Sequence, residues 1–154
     1  MSLDVGDPAP NFTAPTDGGG KVTLSKLKGR NVVLYFYPKD DTSGCTAEAC
    51  GFRDSLPKFG DIDGVVVGVS RDSVASHDKF KAKYDLPFVL VSDESGEICK
   101  AYATWVQKSM YGRKYMGIER STFLIDKVGK IRGAWRKVKV PGHVDEVLKA
   151  LKAL

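Results

Sequence analysis

The chain has 154 residues, of which 42% are hydrophobic and 28% charged, with a formal net charge of +5, and this predicts a single folded domain over residues 1–154. Its longest apolar run has six residues, against about 20 for a membrane span, and its first eight residues lack the pattern of a signal peptide. Segments that bind nucleic acid often contain a block of five or more like charges, and the basic residues here form no such block. We therefore expect a cytoplasmic protein with neither a membrane nor a nucleic-acid partner.

The spacing of the apolar residues predicts alternating strands and helices. Two runs of β-branched and aromatic residues, Asn31–Tyr37 and Asp63–Ser70, are typical of strands buried on both faces. The helix between them, Ser43–Leu56, is expected to end before Pro57. The other predicted elements are a hairpin of Phe12–Pro15 and Lys21–Leu24, a helix at Ser73–Tyr84 capped by Asp72–Ser73, a strand at Phe88–Ser92, a helix at Glu97–Ala103, a hairpin of Ile118–Asp126 and Lys130–Arg136, and a helix at His143–Leu154. This order predicts an α/β fold with a central mixed β-sheet flanked by helices and an N-terminal β-hairpin.

Three cysteines, Cys45, Cys50 and Cys99, are an odd number in a chain expected to be cytoplasmic, where structural disulfides are rare. A close pair of cysteines there is more often redox-active or metal-binding. The five-residue spacing of Cys45 and Cys50 does not fit a zinc site, and His77 and His143 have no ligand spacing with them. We therefore expect no metal ion and no other cofactor. His77, among charged neighbours, is predicted to lie on the surface, and no catalytic role is assigned to His143.

Cys45 follows the first buried strand and lies in the first turn of the predicted helix. Sites form at this end of the central strands in open α/β sheets, and the free N–H groups and positive dipole end of a helix stabilise a thiolate, the reactive form of cysteine. The alternative is a buried structural cysteine, a common environment for this residue. The loop position and the second cysteine nearby favour the reactive interpretation.

The residues around Cys45 resemble those of a known family. Pro38-x-x-x-Thr42-x-x-Cys45 matches the active-site motif of peroxiredoxins, and Tyr35–Asp54 is similar to the bacterioferritin comigratory protein, or peroxiredoxin Q, subfamily. A second segment, Lys108–Asp126, resembles the same subfamily. The resemblance extends over nearly the whole chain and implies a thioredoxin-like fold.

This resemblance implies a thiol peroxidase that reduces hydrogen peroxide and small organic hydroperoxides. Cys45 would be the peroxidatic nucleophile, and Arg120 would stabilise both its thiolate and the charge that develops on the peroxide oxygens. The Thr42 hydroxyl would orient the peroxide, and Pro38 would shape the loop and shield the sulfur from water. Backbone N–H groups at the start of the helix, those of Gly44 and Cys45, would complete an anion-binding site.

Two neighbours of this motif have more than one interpretation. Glu48, three residues after Cys45, either holds Arg120 in place or is a solvated helix residue. Ser43 departs from the subfamily's pattern, in which many members have proline directly after the motif threonine. Proline would set the backbone for helix entry, whereas serine can cap the helix instead. Thr42 and Ser43 are both candidate N-caps.

The sulfenic acid formed on Cys45 would condense with a nearby thiol. Cys50 is the candidate resolving cysteine, and a thiol from a partner outside the chain is the alternative. Residues five apart in an ideal α-helix have Cα atoms roughly 8–9 Å apart, whereas a disulfide needs less than about 7 Å. We therefore expect the start of the helix to unwind before a Cys45–Cys50 disulfide forms. Cys99 is predicted to be a small core residue; it, or a one-cysteine mechanism, is the alternative if Cys50 is inert.

The family implies that thioredoxin or a similar dithiol reduces the oxidised protein, and it favours a monomer over a dimer. Two other functional classes stay open. A dithiol electron carrier or redox regulator would use the same cysteines, but it would not need the oxygen-binding residues Thr42 and Arg120. A non-enzymatic holdase would leave Cys45 no more reactive with peroxide than an ordinary thiol.

Overall fold

The computed structural model describes residues 3–60 and 64–154, so Asp63, the predicted first residue of the second buried strand, lies outside them. The described elements, besides two short 3-10 helices, are β1 (Thr13–Pro15), β2 (Lys21–Thr23), β3 (Asn31–Phe36), α1 (Ser43–Gly60), β4 (Gly64–Ser70), α2 (Val74–Tyr84), β5 (Val89–Ser92), α3 (Glu97–Ala101), β6 (Trp105–Met110), β7 (Arg113–Ile118), β8 (Ser121–Ile125), β9 (Ile131–Trp135) and α4 (His143–Lys152). Within these ranges, no helix combines the length and apolar character needed to cross a membrane.

Five strands form the central sheet in the order β5-β4-β3-β8-β9. β3, β4 and β5 are parallel, whereas β8 runs antiparallel to β3 and β9 antiparallel to β8. The predicted mixed sheet is therefore confirmed, and the N-terminal hairpin forms as the separate pair of β1 and β2. Because β3 is the central strand, its carboxyl end opens at the middle of one sheet edge, where sites commonly form in such sheets.

The sheet separates two apolar cores, and alternate residues of β3 enter each of them. Val33 and Tyr35 face the layer of α1, α2 and α4, in which Phe52 and Phe80 are fully or almost fully buried. Val32, Leu34 and Phe36 face the other core, which contains residues of α3 and of the β1–β2 hairpin. With both faces covered, β3 has the continuous apolar sequence expected of a strand buried on two sides.

The prediction that the first long helix ends before Pro57 is wrong, because α1 continues through this residue to Gly60. Phe59, two residues further on, has no exposed surface, and its ring centroid lies 5.9 Å from that of Phe52. This packing in the core offsets the backbone hydrogen bond that a proline inside a helix cannot donate.

The sequence pattern missed the hairpin of β6 and β7, and the predicted strand at Ile118–Asp126 starts too early. Ile118 ends β7, and β8 begins only at Ser121. Tyr111 and Gly112, with φ of 51° and 77°, form the two-residue turn of the hairpin. Most side chains of β6 and β7 are exposed or half-buried, so these strands lack the alternating apolar pattern by which a strand is predicted.

Candidate active site

The loop from β3 to α1 places the motif residues at the carboxyl end of the central strand. The Tyr37 N–H donates to the Val69 carbonyl (3.1 Å), which extends the pairing of β3 with β4 by one residue. The Thr42 carbonyl accepts the first hydrogen bond of the helix from the Thr46 N–H (2.8 Å). Thr42 therefore occupies the N-cap position, and Ser43 is the first helical residue, a position that also suits proline. Of the two candidate caps, Thr42 and Ser43, it is therefore Thr42 that precedes the helix.

Arg120 reaches the same site from the far part of the chain. Ser121 of β8 pairs with Phe36 at the end of β3, so the residue directly before β8 arrives beside the start of α1. Its Nη2 donates to the Cys45 sulfur at 3.2 Å, and its Nη1 donates to a Glu48 carboxylate oxygen at 2.6 Å. Burial by itself lowers the pKa of Arg120, but the negative charges of Glu48 and Cys45 outweigh it and raise that pKa. One planar cation thus bridges the sulfur and the carboxylate.

Gly44 leaves the space that this guanidinium occupies. A Cβ atom at Gly44 would lie 3.1 Å from Arg120 Nη2, closer than such contacts normally come. The side chain of Cys45 itself is almost completely buried. Glycine at this position therefore allows the guanidinium to come close to the first turn of α1, where it donates to the sulfur.

Glu48 is completely buried and does not face solvent. Burial raises the pKa of this carboxyl from its usual 4.5 to about 7, although the charge and hydrogen bond of Arg120 oppose that rise. Its second oxygen, Oε2, and the hydroxyl of Tyr35 have no hydrogen-bond partner among the residues that the structure describes. The negative charges of Glu48 and Cys45 add to the effect of burial on Tyr35 and raise its pKa.

Pro38 and Thr42 lie on the exposed side of the loop. The Thr42 hydroxyl donates to the Lys39 carbonyl at 2.8 Å, which leaves its oxygen lone pairs as acceptors for an incoming O–H donor. Pro38 lines a cleft of about 400 Å³ together with residues of β6 and β7, among them Trp105 and Tyr115. No sequence pattern predicted this cleft, because most of its walls come from the β6–β7 hairpin, which was not predicted.

Cys50 is half-buried and lies five residues after Cys45, within the same continuous helix. The two cysteines are therefore more than one helical turn apart, and the unwinding expected from helix geometry applies to this structure. Cys99 is completely buried in the other core, on the opposite side of the sheet, as the packing interpretation expected. Burial and the neighbouring Asp93 raise the pKa of its thiol far above the usual range.

The prediction that His77 lies on the surface is wrong, because its side chain is completely buried. Its ring nitrogens face an Asp40 carboxylate oxygen and the Val91 carbonyl. The charged residues around it in the sequence indicated a surface position, but its three-residue spacing from buried Phe80 places it on the inner face of α2. His143 is also buried, hydrogen-bonded to the Thr122 hydroxyl at 2.7 Å.

Comparison with known proteins gives consistent matches over nearly the whole chain. The AhpC/TSA family matches residues 5–134. Peroxiredoxin Bcp of Bacillus subtilis is 51% identical over 152 residues, which are 99% of this chain and 97% of that protein. The structure of a Xylella fastidiosa PrxQ cysteine-to-serine variant covers 99% of this chain and 98% of its own, with 46% identity and a TM-score of 0.94.

A further solved structure is the bacterioferritin comigratory protein of Xanthomonas campestris, from work on its alkyl peroxide reduction activity. It is 48% identical, with a TM-score of 0.89 over 92% of this chain and 90% of that one.

These matches, together with a thiol held against an arginine at the start of a helix, define a thiol-dependent peroxidase with the thioredoxin-like fold. Such an enzyme takes a peroxide as substrate and a thiol as reductant. The chain belongs to the AhpC/TSA family and, within it, to the bacterioferritin comigratory protein/peroxiredoxin Q subfamily. The family, the fold and the oxidoreductase class predicted from the sequence are confirmed.

Proposed function

We propose that Cys45 is the peroxidatic nucleophile, and the contact between its sulfur and Arg120 is the observation that carries this assignment. The Cys45 thiolate attacks the terminal oxygen of the peroxide, an S–O bond forms, and the O–O bond breaks. The other oxygen leaves with the electron pair of that bond, takes up a proton and departs as water or an alcohol. The sulfur is thereby oxidised to sulfenic acid, and the peroxide is reduced.

The neighbouring residues act on the charges of this step. Arg120 stabilises the negative sulfur before attack and the negative oxygen that develops during O–O cleavage, because its planar fork presents several donors. Thr42 accepts a hydrogen bond from the peroxide, and the N–H groups of Gly44 and Cys45 add donors at the helix start. Glu48 holds the guanidinium in place from inside the protein. Pro38, which lines the cleft, shapes the loop and shields the sulfur from water.

Cys50 is the proposed resolving cysteine. Its thiol attacks the sulfur of the Cys45 sulfenic acid, a disulfide forms, and water leaves with the hydroxyl oxygen. The first turns of α1 unwind for this step, which a helix end can do at less than the free energy of global unfolding. Thioredoxin or a similar dithiol then reduces the Cys45–Cys50 disulfide by thiol–disulfide exchange.

The cleft beside Pro38 supports hydrogen peroxide and small organic hydroperoxides as substrates. Its walls include the apolar surfaces of Trp105, Met116 and Ile118, which can contact an alkyl group, and the Xanthomonas campestris relative was studied for alkyl peroxide reduction. We further propose a single domain spanning residues 1–154 that acts as a monomer in the cytoplasm, without a nucleic-acid or membrane partner. Reduced dithiols for its recycling are available in that compartment.

Stopped-flow oxidation of the reduced protein by hydrogen peroxide tests this assignment, with the tryptophan fluorescence as signal and peroxide consumption as the stoichiometric check. Wild type should consume one peroxide per chain at a rate far above that of an ordinary thiolate. Cys45→Ser should abolish turnover, and Cys50→Ser should keep the single turnover but stop thioredoxin-driven cycling. Substantial cycling by Cys45→Ser would overturn the assignment, and a rate like that of a free thiolate would favour a dithiol carrier.

A further inference from the structure

A buried ionic contact lies behind the loop, outside the residues assigned to catalysis. The side chains of His77 and Asp40 are 0% and 4% exposed, and His77 Nδ1 lies 2.6 Å from Asp40 Oδ2. The other ring nitrogen, Nε2, lies 2.8 Å from the carbonyl oxygen of Val91 in β5. Asp40 is two residues before Thr42, so this contact joins α2 and the sheet to the loop that leads to Cys45.

The geometry determines the charge of His77. Both ring nitrogens face oxygen atoms that accept hydrogen bonds, a carboxylate and a carbonyl, so each nitrogen needs its own proton and the ring is an imidazolium. Burial lowers the pKa of His77, but the hydrogen bond and charge of Asp40 and the Val91 carbonyl outweigh it and raise that pKa. The other titratable groups near the ring are Asp72, which also raises the pKa, and Tyr37.

The Asp40 carboxylate connects this cation to the loop. Its Oδ1 accepts a hydrogen bond from the Tyr37 hydroxyl at 2.5 Å, and its Oδ2 accepts a second one from the Ser76 hydroxyl at 2.9 Å. The Asp40 N–H donates to Asp72 Oδ2 at 2.8 Å. Hydrogen bonds therefore hold both the side chain and the backbone of Asp40 in place.

The next residue strengthens the attachment. Asp41 adopts a left-handed backbone conformation with φ of 58°, and its two carboxylate oxygens accept hydrogen bonds from Lys83 at 2.9 Å and Tyr84 at 2.8 Å. Both donors belong to α2, the same helix that carries His77. The peptide directly before Thr42 is thus held by α2 through two successive aspartates.

Asp40, Asp72 and His77 also bring three ligand atoms within 4.8 Å of one another, a spacing that a metal ion could use. Those atoms already have partners, because the two carboxylates accept hydrogen bonds from Tyr37, Ser70, Ser76 and the Asp40 N–H. The imidazolium has no lone pair to donate to a cation. The cluster is better explained as a hydrogen-bonded anchor for the loop.

We propose that His77 is a positioning residue which, through Asp40, holds Pro38–Thr42 in the arrangement that places Cys45 against Arg120 and restrains the unwinding that brings Cys45 to Cys50. This proposal rests on the functions assigned to the two cysteines. It means that the anchor favours the first chemical step and slows the second. A residue that only stabilised the fold would not change the two steps in opposite directions.

His77→Gln tests the proposal, because the glutamine amide can still donate a hydrogen bond but lacks the positive charge. The rates of Cys45 oxidation and of disulfide formation are measured in one rapid-mixing experiment. The phase whose rate rises with peroxide concentration reports the oxidation of Cys45. Disulfide formation is read by acid quench, thiol alkylation and mass spectrometry. Loss of one charge-assisted hydrogen bond should make oxidation of Cys45 roughly tenfold slower, while disulfide formation becomes several-fold faster. Lys79→Gln, on the exposed face of the same helix, is the matched control and should change neither rate.

Ser76→Ala is the milder second variant, since it removes only the hydroxyl bond to the same Asp40 oxygen. It should shift both rates in the same directions by a smaller factor. It also keeps the test valid if His77→Gln folds poorly. Equal slowing of both steps, or no change in either, would overturn the positioning role.

The protonation state gives a readout independent of activity. Nitrogen NMR of the reduced wild-type protein should show both ring nitrogens of His77 protonated at neutral pH, and a singly protonated ring would overturn the proposal. Raising the pH through the elevated pKa of His77 should speed disulfide formation more in wild type than in His77→Gln, where only the general increase of thiolate with pH acts. Failure of the cysteine assignment looks different, because Cys45→Ser would then retain turnover whatever His77 does.

Discussion

Replacement of Arg120 by lysine is the sharpest test of how the site uses its cation. Arginine donates from two nitrogens to two acceptors, at 3.2 Å to the Cys45 sulfur and at 2.6 Å to Glu48. Lysine keeps the positive charge but concentrates its donors on one nitrogen, so it cannot span both acceptors with the same geometry. Arg120→Lys therefore separates the effect of the charge from the effect of the planar fork.

The expected magnitude follows from the bond that is lost. A hydrogen bond to a charged group contributes about 1.5–3 kcal/mol, and since 1.36 kcal/mol corresponds to a factor of ten in rate, Arg120→Lys should oxidise roughly 10- to 150-fold more slowly. Arg120→Ala loses both bonds and the charge, and it should fall by about 10²- to 10³-fold, as when an oxyanion donor is removed. The second-order rate constant with hydrogen peroxide, measured by stopped flow at pH 7, reports both values.

The matched control is Arg132→Lys, which makes the same exchange at an exposed arginine paired with Asp126. It should leave the rate constant unchanged. If Arg120→Lys oxidised as fast as wild type, the fork geometry would play no part in the reaction. If Arg120→Ala stayed within threefold of wild type, the contact with Cys45 would not be part of the peroxide site at all.

Three more changes test the packing and electrostatics around this site. Folding raises the pKa of Glu48 from 4.5 to about 7, so between these pH values the folded state holds a proton on this carboxyl that the unfolded state has lost. As the pH rises from 4.5 to above 7, wild type should therefore lose about 3 kcal/mol of unfolding free energy through Glu48. Glu48→Gln should lack that loss in urea unfolding at pH 4.5 and pH 8. Gly44→Ala places a Cβ 3.1 Å from Arg120 Nη2, so its stopped-flow oxidation should slow at least tenfold while its melting temperature changes little. Gly68→Ala places a Cβ 2.9 Å from the buried Tyr35 ring, and this overpacking should cost about 1–3 kcal/mol in the same urea assay.

Three results would contradict these predictions. Parallel pH profiles of wild type and Glu48→Gln would mean that the carboxyl is not protonated in the folded state. Wild-type oxidation kinetics in Gly44→Ala would show that the guanidinium does not need the space beside the helix. An unchanged urea midpoint in Gly68→Ala would mean that the Tyr35 ring moves aside without loss of packing.

Much of the fold followed from local patterns. The apolar runs of β3 and β4 are continuous because both faces of these strands are covered, and the capping Ser73 accepts the Ser76 N–H at the start of α2 as expected. Pro57 misled the prediction for α1, since a local helix breaker was offset by the burial of Phe59. The β6–β7 hairpin was missed because exposed strands carry no apolar alternation.

The loop that carries Cys45 could also be predicted from the sequence, because its position after a strand and before a helix is a local property. The contacts that complete the site could not be predicted in this way. Arg120 lies 72 residues from Glu48 and 75 from Cys45 along the chain, and the sequence left Glu48 open between a solvated residue and a partner of the arginine. Antiparallel pairing of β8 with β3 brings these groups together.

The sequence by itself determined the class of fold and the family, and it placed the cysteine proposed as the nucleophile between a strand and a helix, since these depend on local patterns of residues and on motifs. Only the tertiary structure decided which polar side chains are buried and which groups they contact. His77 shows the reason most clearly: its charged neighbours indicated a surface position, yet the packing of α2 against the sheet removes it from water and pairs it with Asp40. Whether a polar residue is a solvated side chain or part of a charged anchor depends on which distant elements pack around it.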